Sequence, residues 1–209
     1  MRRPRDLAKR ETREALLEAG LAEFAEHGLD TPSLDGICAR AGYTRGAFYV
    51  HFRDRDDFVV AATEHVLGRL FGAVISTGDQ AHDLERSVSR FMDAVGADAT
   101  GPPSRRRAGP LGGLQFHRLL EACARSPKIR TRVVGLLQQA VGRLAQAAAA
   151  GQAVHTIRRD VDPDQMAMVL LGAAMGLLAA VELGLPIDFE AGQTAVLTLL
   201  GTPLRVSTR

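Results

Sequence analysis

Three helix-starting residues, Ser33, Thr44 and Asp54, follow one another at intervals of about ten residues, and this crowding limits the fold more than any other feature. Such a residue caps a helix by accepting a hydrogen bond from a backbone N–H two or three positions on. Each new start therefore ends the helix before it, and the two helices between them are short. In the first, Leu34, Ile37, Cys38 and Ala41 fall at i, i+3, i+4 and i+7, one apolar face. Gly42 can take the positive φ of a tight turn. The second runs from Arg45 through Val50, and Asp54 restarts a helix with Asp57 in a capping-box relation. Two short helices around a glycine turn fit a helix-turn-helix, whose second member enters the major groove of DNA. The spacing alone fits a plain packing element equally well.

The rest of the chain reads as helical, so the expected fold class is all-α. A first helix spans about Leu7 to His27, with Leu17, Leu21 and Phe24 on one stripe and Gly28 as its stop. Later helices are expected over Asp54–Ile75, His82–Ala97, Leu114–Ala124, Pro127–Ala150, Pro163–Leu183 and Asp188–Leu200. The Gly/Pro-rich stretch 101–113, with Arg105, Arg106 and Arg107, reads as a solvated loop. Aromatic residues are only 5% of the chain, and no strand-period alternation is visible.

Net charge is +2, which says little about nucleic acid. Any DNA contact must come from charges sorted onto one face. On the second short helix Arg45, Gly46 and Tyr49 point outward. Arg45 can offer a bidentate fork to guanine or to a phosphate. Gly46 lets the backbone approach closely, while Tyr49 and His51 can donate to phosphate oxygens. Ser33 and Thr44 are both caps and hydroxyl donors, and Arg55 can meet a phosphate at the next helix N-terminus. Val50 either touches a thymine methyl or packs. The basic arm at residues 2–10 is either a DNA tether or a solvated terminus.

The run Ser33 to Phe52, above all Gly46-Ala47-Phe48-Tyr49-Val50-His51-Phe52, resembles the signature of the tetracycline-repressor (TetR) family. Arg13 to Gly28 looks like that family's first helix, and Asp54 to Phe58 like the start of its fourth. The resemblance covers roughly the first 60 residues. It implies an N-terminal three-helix helix-turn-helix DNA-binding domain, residues 1–58. A larger helical ligand-binding and dimerisation domain, 59–209, follows. It also implies backbone contacts from Tyr49 and His51, base or phosphate contacts from Arg45, and a basic residue at Arg55. Tyr43, Gly36 and Val50 depart from the usual pattern, which bears on the operator sequence.

By the same analogy the partners are double-stranded operator DNA, a small-molecule effector and a second copy of the chain. The apolar helix Met166 to Leu183, with small residues at Gly172, Ala173, Ala174, Gly176, Ala179 and Ala180, is either a dimer seam or a core helix. Candidate pocket residues are Phe91, Met92, Phe116, His117, Leu120, Glu121 and Met175, with His117 and Glu121 a polar pair at i, i+4. No catalytic or cofactor motif and no metal-ligand spacing is present, so neither enzyme, cofactor nor metal is expected. Cys38 and Cys123 form no disulfide framework, which suits the cytoplasm, and the longest apolar run is flanked by Asp164 and Glu182, against a membrane span. The competing readings are a regulator without an effector, and a small-molecule-binding or catalytic protein with a vestigial DNA-binding domain.

Overall fold

The computed structural model describes residues 4–29, 32–74, 84–101 and 114–201. Arg2, Arg3 and the loop bearing Arg105, Arg106 and Arg107 lie outside the described residues, and nothing is described of the Arg5 side chain. Nine helices are found among those described: α1 (Pro4–His27), α2 (Leu34–Ala41), α3 (Arg45–His51), α4 (Arg55–Val74), α5 (Leu84–Thr100), α6 (Phe116–Arg125), α7 (Pro127–Ala153), α8 (Pro163–Glu182) and α9 (Phe189–Leu200). The described residues contain no strand, only an isolated bridge between Ile157 and Gly201. The fold is all-α.

The helix starts form where local chemistry demands. Ser33 Oγ accepts from the Gly36 N–H at 3.0 Å and Thr44 Oγ1 from Ala47 at 3.3 Å. Asp162 accepts from Asp164 and Gln165, and Asp188 from Ala191. Each bond satisfies an N–H that has no partner within its own helix. At Asp54 the capping box is shifted: Asp57 donates its N–H to Asp54, but its carboxylate accepts from Arg53. The first helix begins at Pro4 and not near Leu7. Proline suits a helix's first turn because the N–H it lacks would go unpaired there.

By packing, the chain forms two compact units, one of residues 1–69 and 100–136, the other of 70–99 and 137–209. In the first, α1 supplies Leu16, Leu17, Leu21 and Phe24 to the core, α2 supplies Ile37 and Cys38, and Phe48, Phe52 and Phe58 complete it. The four phenylalanines touch ring to ring, Phe52 and Phe58 edge to face at 4.9 Å. Gly20 makes room for them, since a Cβ there would lie 2.3 Å from Phe58 Cζ. A guanidinium ties α2 to α1: Arg40 donates to Glu26 at 2.6 and 2.9 Å and to Glu23 at 2.9 Å. Glu23, Glu26 and His27 come together there, and their two carboxylates are already matched by this fixed cation.

In the second unit a core of Leu84, Ala147, Ala148, Ile157, Met166 and Leu200 holds α5, α7, α8 and α9 together. The turn after α7 is fixed by Gln152, which donates to the carbonyls of Arg158 and Val161.

Candidate functional site

The turn between α2 and α3 sets the direction of α3. Gly42 has φ 74°, its N–H donates to Ala39 O, and Tyr43 donates to Cys38 O at 2.9 Å. These reverse bonds satisfy the last carbonyls of α2 and turn the chain at once into the Thr44 cap. Phe48 is completely buried, so the opposite side of α3 must face outward. There Tyr49 is 51% and Val50 64% exposed. Val50 therefore does not pack within this chain.

Arg45 lies on that side with its Nη2 3.4 Å from the Tyr49 hydroxyl and its Nε 3.4 Å from an Asp35 carboxylate oxygen. These contacts, the Tyr49 bond first, raise the guanidinium's pKa further. It is a permanent cation, loosely held and available to a stronger acceptor. Gly46 shows a second sign of an outward-facing function. A Cβ there would meet only Thr44 Oγ1, at an ordinary 3.6 Å. Nothing in this chain's packing requires glycine at that position.

His51 closes α3 and, with Asp6, Lys9, Arg10 and Arg13 of α1, lines a shallow depression. Burial first, then Lys9 and Arg13, lowers its pKa below the usual 6.5. Arg13 also sits over the Phe52 ring, 5.4 Å from its centroid. Arg13 is a cation beside His51 that the sequence did not single out. Its signal was the basic spacing Lys9–Arg13, one helical face.

Arg55 is placed otherwise than the sequence suggests. Its guanidinium donates to the Pro32 carbonyl at 2.6 Å and to that of Leu29. It fastens the connection between α1 and α2 and so supports the helix pair α2–α3. Ser33 and Thr44 remain exposed while their oxygens serve as caps.

The second unit contains a partly open cavity of about 270 Å³. Phe91 and Met92 line it, as the sequence suggests. Phe116, His117, Leu120 and Glu121 do not: they belong to α6, in the other unit. On α6 the face carrying Leu119 and Ala122 is buried, whereas His117, Leu120 and Glu121 are exposed on the opposite side. Glu121 pairs with Arg118 at 3.1 Å. Met175 lies on α8, but the cavity takes Leu170, Leu171, Ala174 and Leu177 from that helix.

Residues 16–62 match the tetR family of bacterial regulatory proteins, and residues 104–191 match the tetracyclin repressor-like C-terminal domain. The chain belongs to the TetR family. It is a ligand-responsive DNA-binding transcriptional regulator. The HTH-type transcriptional repressor DhaR of Mycobacterium sp. strain GP1 is 27% identical over 182 residues, covering 82% of this chain and 83% of DhaR. Reduced NemR from E. coli, 23% identical, shares the fold with a TM-score of 0.73 over 92% of this chain and 98% of its own. SmeT in complex with triclosan is 26% identical, with a TM-score of 0.66 over 89% of this chain and 88% of its own. SmeT is the repressor of a multidrug efflux pump in Stenotrophomonas maltophilia.

For a TetR-family regulator the depressed His51 pKa sets a pH dependence. A DNA phosphate placed against Lys9, Arg13 and His51 would offset the cations that now disfavour the imidazolium. His51 in such a complex would have the higher pKa, DNA binding would take up a proton, and affinity would rise as pH falls into the range where the bound imidazole is charged and the free one is not. DNA affinity measured from pH 7.5 to 5.5 should strengthen in the native protein and flatten in His51→Gln. An equal slope in both would remove His51 from the interface.

Proposed function

We propose that the protein is a homodimeric repressor that holds a palindromic operator through two copies of α3 and lets go when a small molecule enters the second-unit cavity. We assign DNA binding to residues 1–58 and effector binding and dimerisation to 59–209, and place the protein in the cytoplasm with its DNA. The observation that carries the DNA reading is the outward set Arg45, Gly46, Tyr49 and Val50 on a buried-backed, doubly capped α3.

The dimer reading rests on α8 and α9. By length and composition α8 is apolar enough to cross a membrane, yet only 17% of its most apolar stretch is buried. Met168 and Val169 on α8 and Leu199 on α9 are 55%, 71% and 66% exposed. A Cβ on Gly172 or Gly176 would meet no described atom within 4 Å. Exposed apolar surface with small residues lets a second helix pair approach closely, and two-fold symmetry suits a palindrome.

Release is a population shift: the effector favours the dimer state that fits the operator poorly. A tenfold loss of affinity needs a bias of only about 1.4 kcal/mol. Selection of bound sequences from random DNA at two salt concentrations tests the reading, alongside sedimentation of the free protein. We expect a salt-sensitive palindrome and a dimer. A monomer, or no enriched sequence at either salt, would overturn it.

A further inference from the structure

We infer that the cavity of the second unit takes an uncharged, largely apolar molecule of roughly ten non-hydrogen atoms. This rests on the effector reading above and adds the chemistry of the ligand. The wall is built from several helices, with Phe71, Phe91, Leu144, Leu170, Leu177 and Val196 among its members. Among the described residues that line it there is no Asp, Glu, Lys, Arg or His, and Ser87, only 5% exposed, brings the one side-chain hydroxyl.

An ionised ligand entering such a space would give up its hydration and find no opposite charge. A neutral molecule loses little water and gains close contacts along the wall. At the ~30 Å³ that a water molecule occupies in the liquid, 270 Å³ has room for roughly nine such volumes. One fused or substituted ring of that size fits. The width is adjustable on one side. The Met92 terminal methyl lies against Gly192, where a Cβ would stand 3.2 Å from it, and a methionine re-packs readily around different shapes.

The test uses the full chain without DNA and two probes of near-equal shape, 2-naphthol and 2-naphthoate, followed by calorimetric titration and thermal unfolding. 2-Naphthol should bind at least about tenfold more tightly than 2-naphthoate and raise Tm more. Its ring protons should show magnetisation transfer to the Met92 methyl, which locates it with no substitution. Val88→Phe, which fills the cavity from α5, should weaken 2-naphthol about tenfold. Equal or tighter binding of 2-naphthoate, no binding of 2-naphthol, or binding without contact to Met92 would each overturn the inference. Operator affinity in the same samples reports separately on the effector reading. If 2-naphthol fills the cavity and DNA affinity stays unchanged, the ligand class stands and ligand-triggered release is what fails.

Discussion

Phe58→Ala should destabilise the first unit by about 3–5 kcal/mol, the usual result of emptying a large, fully enclosed aromatic site. Phe58 is entirely buried and touches Phe24, Phe48 and Phe52, with centroids at 6.0, 5.2 and 4.9 Å. A loss of that size is a large fraction of the ~5–15 kcal/mol that holds a domain together. Gly20→Ala should be destabilising for the opposite reason. Its new Cβ would lie 2.3 Å from Phe58 Cζ, and the ring is fully buried against those of Phe24, Phe48 and Phe52. Overpacking of this kind costs about 1–3 kcal/mol. In the Phe58→Ala background that clash is gone, so adding Gly20→Ala should be nearly free. Urea unfolding of the four proteins gives the coupling directly. Additive losses would mean that α1 and α4 do not meet through this pair.

Arg45→Ala should weaken operator binding about ten- to a hundredfold and leave the unfolding curve unchanged. The side chain is 55% exposed and its partners, Asp35 and Tyr49, are themselves on the surface. Tyr49→Ala should act in the same direction. Gly46→Ala separates interface from fold most sharply. Alanine improves helix propensity by up to about 1 kcal/mol, and its Cβ meets only Thr44 Oγ1 at 3.6 Å. The variant should be as stable as the native protein or more so, yet bind DNA more weakly because the added methyl holds the backbone off. A fluorescence-anisotropy titration beside a melting curve reads both quantities. Full DNA affinity in Gly46→Ala and Arg45→Ala would remove the N-terminal half of α3 from the interface.

Arg55 and Arg45 show why part of this site could be read early and part could not. Arg45 stands one residue after its cap, at i, i+4 from the exposed Tyr49, so its outward direction follows from the helical face the two share. Arg55 has an equally suggestive place at a helix start. Its acceptors, however, are the carbonyls of Leu29 and Pro32, 26 and 23 residues away. Both carbonyls lie between α1 and α2, outside any helix, and which donor reaches them depends on how α4 packs beside that connection. The pocket residues divide in the same way. Phe91 and Met92 were legible on an amphipathic helix. On α8 nearly every position is apolar, so periodicity cannot say that Leu170 and Ala174, and not Met175, face the cavity.

The sequence by itself determined where the helices of the binding element begin and turn. Ser33, Gly42, Thr44, Asp162 and Asp188 act on backbone groups only two to four residues away, and such bonds form wherever the chain places those residues. Tertiary structure alone decided that Arg13 comes beside His51 and Phe52, that Arg55 turns inward, and that the cavity is lined from α4, α5, α7, α8 and α9 and not from α6. Those outcomes depend on which face of each helix is buried against which neighbour, and burial is a property of the whole packed unit, not of any local run of residues.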